Sequence, residues 1–266
     1  LCNQSQFLAA RGLLADRRRY FTDPVALDFK RVEIDRREKP MPGHTQYLGD
    51  LLRARPDYEP GWRMFLHWVE QDNLGKLARE VLPAMPPNLG EDVSLQCDKL
   101  EVLLRAGEAF KSIEKQWGDL IGNFPDSMEV NLRWFDVLID RKQADDADAV
   151  LEIYSQHDAT SPQVVCRRVA VAAARKDKDL ALAHMNQLCQ DVVNDAPRSL
   201  ALGFAALSDI KLQGVAAANV AELYRQGKPL MRSAPAVALE HMPNAKTVKA
   251  LVEVALAKPA SQQRDE

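Results

Sequence analysis

The densest set of groups able to hold a metal or move a proton is Asp145-Asp146-Ala147-Asp148. An all-helical prenyl-transfer enzyme would need acids at i, i+1 and i+4 to hold Mg²⁺ through a diphosphate, and Ala149 occupies the last of those places. At the start of a helix the same acids complement the positive end of the macrodipole. The histidines, His44, His67, His157, His184 and His241, stand apart, in no HExxH or His–Cys ligand pattern. Cys2, Cys97, Cys166 and Cys189 form no CxxC pair and read as buried unpaired thiols, small hydrophobes in effect. No phosphate-cradling glycine loop and no GxSxG elbow occurs. The expectation is a chain without a catalytic residue, a metal site or a cofactor.

Charge patterning offers binding chemistry instead. From Asp126 to Asp158 the acids Asp126, Glu129, Asp136, Asp140, Asp145, Asp146, Asp148, Glu152 and Asp158 outnumber Arg133, Arg141 and Lys142. A basic run follows: Arg167, Arg168, Arg175, Lys176 and Lys178. One reading is a set of solvated helix faces. The other is an acidic patch beside a basic one that steers a charged partner. On that second reading the contact residues are Arg133, Asp136, Asp140, Arg168 and Arg175, polar positions off the apolar stripe and expected to be dispensable for packing. A net charge of −3, with cations not interleaved with aromatics, argues against a nucleic-acid partner. No stretch reaches the length of a membrane-spanning helix.

The elements that must position these residues show in two series of chain breakers. Short polar turns end at residues 39, 73, 107, 143, 177 and 214, in steps of 34, 34, 36, 34 and 37. Prolines 24, 60, 86, 125, 162, 197 and 235 run alongside, in steps of 36, 26, 39, 37, 35 and 38. Two offset series with a shared interval spell a helix, a tight turn, a helix and a Pro-marked corner, then the same again. Apolar residues support this. Trp62, Phe65, Leu66 and Val69 form an i, i+3, i+4, i+7 stripe, and Leu77, Ala78, Val81 and Leu82 form the next. Val25 to Phe29 alternates like a strand, but the repeat phase makes it a helix. Residues 40–43, Pro-Met-Pro-Gly, read as the most irregular connection. Residues 244–257 read as a terminal helix.

These units resemble tetratricopeptide repeats, whose period is about 34 residues. The match is best in the turn and second helix, where a small residue and then a large apolar one follow the turn. Asn73 is followed by Ala78 and Leu82, Gly107 by Ser112, and Gln143 by Ala147 and Leu151. Trp62 stands where the family often has an aromatic, and Pro125, Pro162 and Pro197 stand as unit-closing prolines. The first-helix Leu-Gly pair is absent from every unit, and the fifth unit aligns poorly. The resemblance implies an all-α fold: a right-handed α-solenoid of about six helix-turn-helix repeats over 24–241. A helix at 1–23 would precede it, and a capping helix with a polar tail at 242–266 would follow. It also implies a concave face of first helices on which a protein or peptide docks. Asn131 is the one Asn available for a chaperone-tail clamp, and the cations such a clamp needs are missing. The expected function is a non-catalytic interaction scaffold or adaptor, soluble and without membrane insertion. The alternative is an accessory repeat domain of a larger enzyme or of an export assembly, which a start at Leu1 without Met fits.

Overall fold

A computed structural model describes residues 4–17, 24–87, 89, 93–241 and 252. All regular structure among them is helical, with no strand. The order is α1 (Gln4–Arg17), α2 (Pro24–Glu38), α3 (Pro42–Ala54), α4 (Glu59–Gln71), α5 (Gly75–Val81), α6 (Val93–Arg105) and α7 (Phe110–Asn123). It continues with α8 (Met128–Asp140), α9 (Ala144–Asp158), α10 (Pro162–Ala174), α11 (Lys178–Cys189), α12 (Pro197–Ser208), α13 (Gln213–Arg225) and α14 (Ala234–Glu240). The chain divides into two compact units, Leu1–Val130 and Asn131–Glu266.

Five regularly spaced turns are built alike, and Gly227, 16 residues after the last of them, repeats their geometry off the period. Asn73, Gly107, Lys142, Lys176 and Lys211 all take a positive φ, between 53° and 83°. They lie 34, 35, 34 and 35 residues apart, a tighter period than the sequence turns showed. At each, the N–H of the next residue donates to the carbonyl five residues back, as Leu74 does to Val69 and Asp177 to Ala172. The left-handed residue also donates three residues back, so that two carbonyls at each helix end are satisfied. The second helix then starts two residues on, or three after Gly107. Its fourth residue is Ala78, Ile113, Ala147, Ala181 or Ala216, and four positions further on stand Leu82 (just past the end of α5), Trp117, Leu151, Met185 and Val220, all essentially buried. The small station after Gly107 is thus taken by Ile113 and not by Ser112, which is exposed. The extra residue before α7 shifts its phase by one.

Prolines mostly open helices. Pro24, Pro162 and Pro197 are first residues, where the missing N–H costs nothing. Pro162 and Pro197 therefore do not close units. Pro42 opens α3, so the irregular connection shortens to Lys39–Met41. Ser161 and Asp177 cap α10 and α11 by accepting from the N–H of Val164 and Leu180. Val25 to Phe29 is helical, as the repeat phase requires. The terminal helix expected at 244–257 lies, Val252 apart, outside the described residues.

In the first unit α2 packs on α3, α3 on α4 and α5, and α4 on α5 and α6. Trp62 and Phe65 are fully buried, and Trp62 donates to the Pro56 carbonyl at 2.8 Å. A Cβ on Gly61 would meet Phe29, Leu52 and Tyr58 at 2.9 Å, so α4 reaches this contact only with glycine there. In the second unit α10 packs on α9, α11 and α12, and α11 on α13. One apolar cluster, from Val165 through Phe204 to Ala238, packs α10 to α14 together.

Polar ties one hairpin apart accompany this packing. Arg36 binds Asp72, Arg105 binds Glu70, and the Asn219 amide reaches Asn186 at 3.4 Å. The Arg36 guanidinium is almost wholly buried (6% exposed) and lies over Trp68 at 4.6 Å. It donates to Asp72 at 2.6 and 2.9 Å and to Thr45 at 3.0 Å, and Thr45 donates in turn to Asp72 at 2.7 Å.

Candidate interaction surface

The charged positions singled out in the sequence fall on α8 and α10, in the second unit. Asp136 is exposed on α8, and its carboxylate takes two bonds from Arg167 of α10, at 3.0 and 2.6 Å. Arg167 also lies 5.7 Å from the Phe135 ring. Arg175, the residue that caps α10, binds Asp145 at 2.7 Å and Asp148 at 2.7 Å on α9. Arg168 is half-buried and donates to the Ala159 carbonyl at 3.3 Å. Arg133 is half-buried on α8. Asp140, at the end of α8, is exposed and has no polar partner among the described residues.

The expectation that all five are dispensable for packing is therefore corrected. The acidic and basic runs meet, and three of the five residues tie α10 to α8, to α9 or to the connection after α9. Such bidentate pairs fix geometry, while their exposure limits what each adds to stability. The residue missed was Arg167, which lines up with Asp136 one hairpin back. The carboxylates of Asp145 and Asp148 likewise face a guanidinium, and no group of three potential metal ligands occurs among the described residues.

Burial sets the remaining titratable groups. It pushes the Cys189 thiol up to about 12 and the Cys166 thiol upward, so neither is a ready thiolate. Cys97, Cys166 and Cys189 are all buried and in no disulfide, and Cys2 lies outside the described residues. Burial holds His184 below the ordinary imidazole value, and Lys99 below the ordinary amine value.

Hollows lie away from the charged run. In the second unit a groove of about 640 Å³ is lined by Thr160, Val165, Asn186, Gln190, Asp191 and Asn194, among others. In the first unit a cavity of about 260 Å³ lies between α6 and α7, with Lys99, Asp119 and Phe124 in its wall. No helix among the described residues is long and apolar enough to cross a membrane. Comparison with protein-family models and with curated proteins finds no match to this chain.

Proposed function

We propose that the chain is a non-catalytic scaffold that binds a protein or peptide across stacked, tetratricopeptide-like helical hairpins. The observation that carries this reading is the recurrence of one turn geometry at 34–35-residue steps, with the same two buried stations behind each turn. Hairpins repeated in this way bury their apolar faces against neighbours and leave an extended row of helix faces for a partner. On this reading the hairpins wind as a right-handed solenoid. The partner contacts the α8–α10 face, at Arg133, Asp136, Asp140, Arg168 and Arg175.

Asp140 is the clean probe of that face, because reversing it breaks no ion pair. Reversing Asp136 would also strand Arg167, so a loss of binding there would be mixed with a loss of local order. Proteins retained by the immobilised chain are to be identified, and their association rates with the wild type and Asp140→Lys compared. A several-fold change in association rate, with the unfolding midpoint unmoved, is the expected result. An unchanged rate would place the contact face elsewhere. Capture of no protein at all would sink the scaffold reading.

A further inference from the structure

The groove of the second unit is walled by carboxamides. Asn186, Gln187, Gln190 and Asn194 line it, together with the buried Val165 and Leu188. Two of these amides are oriented by the fold and keep a group unspent. The Asn186 Oδ1 accepts from the Asn219 amide at 3.4 Å, which leaves the Asn186 NH2 with no acceptor among the described residues. The Gln190 NH2 donates to the Asn186 main-chain carbonyl at 3.1 Å, and the Gln190 Oε1 takes no donor among them. Both residues are half-buried, where an unmade hydrogen bond costs more than at an open surface. Gln190 caps α11, and Asn186 stands one turn before it, about 6 Å along the axis at a rise of about 1.5 Å per residue. A spare donor and a spare acceptor at that separation match one residue of an extended chain. In a hydrogen-bonded strand pair, such a residue turns its own N–H and C=O to the same neighbour.

Apolar contact is available beside these amides. Val193, 85% exposed, lines the groove from the connection after α11. That connection is pinned at both ends. The Asp191 carboxylate accepts from the N–H groups of Val193 and Asn194 at 3.1 and 3.2 Å, and Asp195 accepts from the N–H and hydroxyl of Ser233 at 2.9 and 2.6 Å. An apolar side chain on a backbone held in this way has little freedom left to lose on binding. Asp191 is the one charged residue in the lining among the described residues, and its carboxylate is engaged with those two N–H groups. The lining has no cation to pair with an acidic ligand and no aromatic ring on which a base could stack. We propose that the groove takes an uncharged, extended peptide segment, hydrogen-bonded through its backbone to Asn186 and Gln190, with an apolar side chain against Val193. None of the lining residues is among the five of the α8–α10 face, so the proposal stands or falls apart from that face.

The test titrates the full, isotope-labelled chain with the uncharged probe acetyl-Ser-Val-Ser-Val-Ser-amide and follows the side-chain amide resonances of Asn186 and Gln190. Saturable shifts at both are expected. N-methylation of each probe amide in turn removes one backbone N–H and keeps the side chains, and at one position or more it is expected to weaken binding about tenfold. Val193→Ser, at an exposed position, is expected to weaken binding several-fold with the unfolding midpoint unmoved. Absence of a saturable shift overturns the proposal. So does indifference to N-methylation at every position, since side chains alone would then be recognised. Binding unmoved by Val193→Ser would place the peptide outside the groove, and equal shifts with glucose would mean that the groove takes hydroxyls. Either result also overturns it.

Discussion

Arg36 and Asp72 show how much one residue pair carries. Arg36 comes from α2, Thr45 from α3, and Asp72 caps α4, so a single network ties three helices of the first unit. A buried guanidinium is tolerable only while its counter-charge and its acceptors stay in place. Asp72→Ala is expected to cost about 3–5 kcal/mol in urea unfolding, because it strands a buried cation. The pair also sets a pH dependence. The hydrogen bonds from Arg36, with that from Thr45, hold the Asp72 carboxyl below the usual carboxylate range against the opposing effect of burial. A depressed folded-state pKa stabilises above the unfolded value and loses that contribution as the pH falls through the folded one. Unfolding midpoints should therefore drop more steeply below about pH 4 in the wild type than in Asp72→Asn. Equal slopes would show that the carboxylate is not held by Arg36. Nothing local in the sequence marks Arg36, which stands in a mixed run of charges, Asp35-Arg36-Arg37-Glu38-Lys39. Its signal is one of phase: its partner lies 36 residues on, one hairpin away.

At the scale of the element, the turns explain what was legible and what was not. The period was readable because Asn, Gly and Lys can each end a helix in the left-handed region, glycine without strain and the others at a cost of about 1–2 kcal/mol. Only Gly107 announces itself as a glycine, so the register of the other turns shows in spacing alone. The phase of α7 was not readable. Glu108 and Ala109 add one residue before the helix, and Ile113 takes the buried station where Ser112 was expected. Pro42-Gly43 misled in the same way, since Pro at a first helical position looks like a breaker from the sequence side. The small stations test this register directly. Ala147 is fully buried and Ala149 is exposed two residues further along α9. Ala147→Leu is expected to cost about 1–3 kcal/mol by overpacking, while Ala149→Leu should change the unfolding midpoint little. Equal effects would mean that α9 is rotated from the face described.

For the molecule as a whole, the same construction limits how far a change travels. Within the second unit α10 touches α9, α11 and α12, and α11 touches α13, so each hairpin is held by those beside it in the chain. The charged run follows this pattern. Its ion pairs join α8, α9 and α10, and an interaction patch in the sequence turns out to be partly a set of ties between neighbouring hairpins. Sequence reasoning could separate acids from bases along the chain, but not which of them meet, because that depends on the rotation of each helix about its axis. Energies in an array held by nearest neighbours should add across an intervening hairpin. Ala147 in α9 and Ala216 in α13 occupy the same station with the α10–α11 hairpin between them in the chain. The double mutant Ala147→Leu with Ala216→Leu is therefore expected to lose the sum of the two single losses to within about 0.5 kcal/mol. Arg175→Ala and Asp145→Ala, whose side chains touch, should fall short of additivity, because either change alone already breaks the bond. Coupling of about 1 kcal/mol or more between the two alanine sites would show that the unit yields as one block, and the array description would fail.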